Sequence, residues 1–263
     1  MIYETLDISH DRNGVVSLAL NVPQKRNALC AKMIAELTDF AKTAGDRPDT
    51  RVVVLSGRGK VFCAGADLDW MNAQIAADRT TRMAEARKLA DMLRALNEMP
   101  LPLITKITGG AFGGGVGIAC VSDIVIAEAG AKFGLTETRL GLIPATIGPY
   151  VINRMGEGRA RQIMLSARIF GAPEAEKLGI VSKYCDADDM VSCVDAEVAP
   201  FLNAAPNAVA AAKKLAREMG APITDAMVND SIARLADVWE HPEATEGIAA
   251  FFAKRQPRWA VPG

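Results

Sequence analysis

The 263-residue chain is poor in several things that would have announced a function. Lys and Arg (30) are balanced by Asp and Glu (31), so there is no basic field for a nucleic acid. Aromatic residues make up 5%, too few for base-stacking platforms. The two histidines, His10 and His241, fit no triad or zinc spacing and read as surface or cap residues. The five cysteines (Cys30, Cys63, Cys120, Cys185, Cys193) show no CxxC spacing, which reads as free, mostly buried thiols of a reducing cytoplasm. The first residues, MIYETLDISHDRNG, lack the basic-then-apolar pattern of a signal peptide. No apolar run reaches the roughly 18 residues of a membrane span.

What the chain does have is a half-hydrophobic composition, enough for a large core. Strand-length β-branched runs occur at Gly14 to Leu20, Arg51 to Gly57, Pro102 to Thr108 and Asp123 to Ala129. Helical spacing marks Ala31 to Ala44 and Thr80 to Glu98, the latter stopped by Pro100. After about Lys132 helical patterns dominate: Glu157 to Ser166, Pro173 to Leu178, Pro206 to Glu218, and a pair across Ile223 to Lys254 broken at His241-Pro242. Strands first and helices last predict an α/β core followed by a helical appendage, divided at 1–200 and 201–263.

Two glycine-rich runs each follow a strand. Gly57-Arg58-Gly59-Lys60-Val61-Phe62-Cys63-Ala64-Gly65-Ala66-Asp67-Leu68 is not a P-loop, because Val61 follows Lys60. Taken alone it reads as a tight strand-to-helix turn. Gly109-Gly110-Ala111-Phe112-Gly113-Gly114-Gly115-Val116-Gly117 fails the dinucleotide fingerprint, with Ile118 at the last position. Close approach to a ligand and close backbone packing account for it equally well.

The order F-C-A-G-A-D-L, A-F-G-G-G-V-G, A-K-F-G-L-T-E-T-R-L-G-L-I-P resembles the crotonase (enoyl-CoA hydratase/isomerase) superfamily, from about Val15 to the C-terminus. The resemblance implies a spiral of ββα units with a C-terminal helical trimerisation region, assembled as a homotrimer or dimer of trimers. It implies an acyl-CoA substrate and no further cofactor. By family position the backbone amides of Ala66 and Gly114 grip the thioester oxygen. Fixed donors of this kind stabilise an enolate without reorganising, each worth about 3–4 kcal/mol of barrier.

Glu137, in Phe133-Gly134-Leu135-Thr136-Glu137, matches the second of two family glutamates; Gly117 stands where the first would be. An ion pair with Arg139 is the competing reading of Glu137. Asp67 and Asp123 read as structural. The resemblance also assigns Arg26, Ala28 and Ala64 to CoA contacts, and Phe251 and Lys254 to contacts often made from a neighbouring subunit. Trp70, Met71 and Gly117 are assigned to the substrate pocket, with the acyl group read around Trp70 to Ile75 and Leu142 to Tyr150. The segment Ala66 to Met71 and the run Gly115-Val116-Gly117 look like bacterial 3-methylglutaconyl-CoA hydratases. Hydration of an enoyl-CoA is therefore the expected activity. A Δ3,Δ2-enoyl-CoA isomerase, needing one carboxylate, is the alternative, and a non-catalytic acyl-CoA-binding subunit the alternative of another class.

Overall fold

In the computed structural model, which describes residues 3–261, the chain opens with the hairpin β1 (Leu6–His10) and β2 (Val15–Leu20). There follow α1 (Ala31–Thr43), β3 (Val52–Gly57), α2 (Leu68–Ala76), α3 (Arg79–Glu98), β4 (Leu103–Ile107), β5 (Gly110–Phe112) and α4 (Gly114–Val121). Next come β6 (Ile124–Glu128), β7 (Lys132–Gly134), α5 (Gly148–Met155), α6 (Glu157–Ser166), β8 (Ile169–Gly171), α7 (Ala172–Lys177) and β9 (Lys183–Cys185). Four helices close the chain: α8 (Met190–Asn203), α9 (Pro206–Met219), α10 (Asp225–Glu240) and α11 (Pro242–Phe252). No helix is long and apolar enough to cross a membrane among the described residues.

The large sheet runs β1-β2-β3-β4-β6-β9, parallel throughout except for the β1/β2 hairpin. Its inner strands are apolar on both faces, as parallel strands sandwiched by helices must be. On one face α1 buries Met33, Ile34, Leu37, Phe40 and Ala41, a one-sided helical stripe. It packs beside α3, whose first turn is capped by the Asp78 carboxylate accepting the Thr81 N–H (2.8 Å). On the other face α8 lays Met190, Cys193, Val194 and Val198 over Val52, Ile104 and Ile126.

The small sheet, β5-β7-β8, stands beside the large one. Each inner strand of the large sheet continues into a short segment of this second layer and then into a helix. From β4 the chain passes through β5 into α4, and from β6 through β7 towards α5. From β3 it passes through Cys63, bridged to Ala111, into α2. This is the expected ββα spiral, an α/β fold followed by C-terminal helices.

Structure and sequence differ at the short elements. The three-residue strands β5, β7, β8 and β9 were not predicted, and three of them lie beyond Lys132, in the region read as helical. Runs that short show no alternation, and only neighbouring strands make them strands. Strand β1 and helix α8 were not anticipated either; α8 carries Pro200 within its last turn and runs through residue 200, ending at Asn203. The outermost positions of the two predicted regions, 1–2 and 262–263, lie outside the described residues.

Asp123 holds the appendage to the sheet. Its carboxylate accepts the Leu103 N–H and the Lys213 ammonium, both at 2.7 Å, and Lys213 also donates to the Leu101 carbonyl (2.9 Å). At the opposite strand ends Asn27 binds two loops together. Fully buried at φ 52°, it accepts the Val22 N–H (2.9 Å) and donates to the carbonyls of Arg58 (2.8 Å) and Val61 (2.9 Å). Asn27→Ala leaves three part-buried backbone groups unpaired in a conformation that favours Asn. Urea unfolding should show a loss of about 3 kcal/mol; a loss below about 1 kcal/mol would show that the two loops hold each other without it.

Candidate active site

Four pieces of backbone converge where the strands of the large sheet end. Residues 26–29 lie beside 64–67: Ala64 N–H donates to the Arg26 carbonyl (3.0 Å), Leu29 N–H to Gly65 (2.7 Å), and Asp67 N–H to Leu29 (3.2 Å). Residues 62–63 lie in turn beside 108–112, through Phe62 N–H to Thr108 (3.0 Å) and Phe112 N–H to Cys63 (3.0 Å). Gly113 N–H then donates to the Gly134 carbonyl of β7 (3.0 Å).

This weave leaves two amides over. The Gly65 carbonyl and the Asp67 N–H, on either side of Ala66, both turn to Leu29, so the Ala66 N–H faces the other way. Gly114 is the first residue of α4, where an N–H has no intrahelical acceptor. Among the described residues nothing accepts a hydrogen bond from either amide. Ala66 is exposed and Gly114 half-buried. Gly65 and Gly113, which precede them, are apposed: a Cβ on Gly113 would lie 3.7 Å from the Gly65 Cα. The positive end of the α4 dipole lies at Gly114.

Glu137 opens a 3-10 turn, Glu137–Leu140, just after β7. Its Oε1 lies 3.1 Å from where a Cβ on Gly113 would stand, and Gly113 itself has φ +48°. Both the conformation and the space call for glycine there. The Oε2 is buried and takes no hydrogen bond among the described residues. Burial pushes the carboxyl up to about 7, with its own backbone N–H the one opposing contact. Among the described residues no ion pair joins it to Arg139.

The neighbouring groups behave as supports. Asp67 caps α2 by accepting the N–H groups of Asp69 (3.0 Å) and Trp70 (3.1 Å), and pairs with Lys25 (3.0 Å). Burial alone would raise its pKa; Lys25 and the two amides outweigh that and lower it. Burial drives the Cys63 thiol up to about 12, which makes it a core residue and no nucleophile.

The other expected site residues are dispersed. Arg26 is exposed in a left-handed conformation, Ala28 is buried and Ala64 half-buried, all on the ribbon that ends at Ala66. Trp70 is half-buried and donates to Glu85 (3.3 Å). Met71 is buried in a cluster with Leu142, Trp239, Ala244 and Ile248. Phe251 and Lys254 are exposed at the end of α11, and no hydrogen bond or ion pair joins them to the 26–67 ribbon among the described residues. Gly117 is fully packed. A Cβ there would stand 2.6 Å from Ile147 Cγ2 and 3.5 Å from Leu93 Cδ2, so Ile147 occupies the space a side chain at 117 would need.

Sequence reasoning placed Ile147 only within the span Leu142 to Tyr150 and gave Lys25 and Leu29 no role of their own. The first is one apolar residue in an irregular loop and gives no periodic signal. The close fit predicts that Gly117→Ala destabilises by about 1–3 kcal/mol through overpacking. The double variant with Ile147→Ala should be non-additive, with at least about 0.5 kcal/mol recovered in a double-mutant cycle. Strict additivity would mean that the two positions do not compete for space.

Residues 10–261 match the family model described as enoyl-CoA hydratase/isomerase. The crystal structure of an enoyl-CoA hydratase from Shewanella pealeana is 35% identical, with a TM-score of 0.80, covering 98% of this chain and 96% of that one. Pseudomonas aeruginosa AtuE is 37% identical, with a TM-score of 0.78, covering 98% of this chain and all of that one (100%). The 1,2-epoxyphenylacetyl-CoA isomerase of Escherichia coli K12 is 31% identical over 96% of this chain and 97% of its own length. With its ββα spiral and with the family model matched over almost its whole length, the chain belongs to the enoyl-CoA hydratase/isomerase family.

Proposed function

We propose that the protein is an enoyl-CoA hydratase that adds water to a 2-enoyl-CoA, or removes it from the 3-hydroxyacyl-CoA, with 3-methylglutaconyl-CoA the candidate substrate. One observation carries this reading: the Glu137 carboxyl, its Oε2 buried and unpaired among the described residues and its pKa raised to about 7, sets its Oε1 against Gly113, next to an unused amide at Gly114. In the forward direction ionised Glu137 takes a proton from water as the water oxygen bonds to C3. The electron pair of the double bond moves to the thioester oxygen, which the N–H groups of Ala66 and Gly114 hold as an enolate. Glu137 then returns the proton to C2 and the carbonyl reforms, so one water is added and no cofactor is consumed. Arg26, Ala28, Ala64, Phe251 and Lys254 hold the CoA part, and Trp70 and Met71 border the acyl group. The resemblance to the family also assigns a trimer or dimer of trimers, which light scattering measures.

A second reading, the Δ3,Δ2-enoyl-CoA isomerase, is favoured by the filling of the Gly117 side-chain space by Ile147. One carboxyl that moves a proton between C4 and C2 needs no second acid. Assays with crotonyl-CoA, 3-methylglutaconyl-CoA and a 3-enoyl-CoA separate the readings by product.

Glu137→Gln should lower turnover by about 10²–10⁴-fold with acyl-CoA affinity little changed; unchanged turnover would sink the assignment of Glu137 as the acid/base. For hydration, kcat/KM of the wild type should rise with pH through about 7, and this limb should vanish in the variant. Stability should follow the same group. A carboxyl whose folded pKa is raised stabilises the fold below its unfolded value of 4.5, and that stability is lost as pH rises through about 7. Between pH 4.5 and 8 the wild type should lose about 3 kcal/mol relative to Glu137→Gln in denaturant titrations. Parallel curves would mean that the carboxyl is solvated.

A further inference from the structure

The turn that carries Glu137 is weakly held by its own hydrogen bonds. It is four residues of 3-10 helix without a side-chain cap, closed by Arg139 N–H to Thr136 (3.1 Å), Leu142 N–H to Glu137 (3.1 Å) and Gly141 N–H to Thr138 (3.3 Å). Such turns have poor hydrogen-bond geometry and are placed by what packs on them. On the inner side that is Gly113. On the outer side it is the backbone of α11. A Cβ on Gly247 would come within 2.5 Å of the Leu140 carbonyl oxygen, and a Cβ on Gly141 within 2.5 Å of the Glu243 carbonyl carbon. Helix and turn thus touch main chain to main chain through two glycines, with no side chain between them to yield. Ile248 and Ala244 seal the contact in a buried cluster with Leu142 and Met71, the latter on α2 just beyond Ala66.

We propose that Gly247 is a positioning residue for Glu137: by letting α11 press directly on Leu140, it fixes the carboxyl against Gly113. Beside Gly247, Glu246 ties the segment that follows the helix back onto it. Glu246 pairs with Arg255 through both guanidinium nitrogens (2.7 and 2.9 Å) and accepts the Arg258 N–H (3.0 Å), drawing its carboxyl down to about 2. The contacts around residue 140 are to backbone, so any side chain at 247 must displace the helix or the turn. A misplacement of about 1 Å at a reacting group costs about 10²-fold in rate.

The proposal rests on Glu137 being the acid/base, and Glu137→Gln in the same assay tests that separately. Gly247→Ala should lower kcat by about 10–100-fold with KM within about twofold. The pH limb near 7 should move down towards 4.5 as the displaced carboxyl meets water. Ile248→Val, which loosens the contact without a clash, should give a smaller change in the same two readouts and decides the matter if Gly247→Ala does not fold. Ala249→Ser, on the exposed face of α11, should change neither. If folded Gly247→Ala or Ile248→Val keeps the wild-type kcat and pH limb while Glu137→Gln is inactive, the positioning role is wrong and the reading of Glu137 stands. Equal losses in Ala249→Ser would likewise overturn it, because the effect would belong to any disturbance of the helix.

Discussion

A carboxylate oxygen buried without a hydrogen-bond partner is among the costlier things a protein can keep, and among the described residues the chain keeps one at Glu137 Oε2. It stays there because its surroundings are main chain on both sides. Gly113, at φ +48°, lets Oε1 come close where a Cβ would stand only 3.1 Å from it, and the turn is backed by α11 through Gly141 and Gly247. The same closeness that excludes water raises the pKa to about 7, where a carboxyl can both take and give a proton at neutrality. The desolvation that costs stability is the property that suits the group to proton transfer.

The spiral makes this crowding possible. Each ββα unit delivers one strand to the large sheet and one short segment to the layer beside it, and the layer's segments hydrogen-bond to one another. Because the short segments satisfy most of their backbone groups among themselves, the few left over stand out. Ala66 N–H and Gly114 N–H are exceptions of that kind, and they follow the two glycines that touch. An orphan amide at a helix start and another facing away from its ribbon are ready for negative charge without movement.

On the proposed reading these amides hold the thioester oxygen, and the side chains around them select the reaction. Position 117 illustrates this. Its glycine is no gap, since Ile147 fills the space from a loop 30 residues away in sequence. Position 117 therefore has no room for a second acid, which on the proposed reading leaves Glu137 as the group that moves the proton.

Much was legible in the sequence. Most of the long helices and the four inner strands of the large sheet announce themselves by periodicity, because burying one face of a helix or both faces of a strand is a local requirement on composition. The glycine runs and Glu137 were legible as motifs, because close approach admits few residue types. The three-residue strands, the packing of Ile147 on Gly117 and the seat of α11 on Leu140 were not. Each depends on atoms far apart in the chain that meet only when the spiral closes, and one apolar residue or one glycine carries no mark of its future neighbour. The sequence by itself determined which groups could donate, accept and ionise. Only the tertiary structure decided that the Glu137 carboxyl would lie against Gly113 with its Oε2 unpaired, because a pKa is set by desolvation and desolvation is a property of the assembled surroundings.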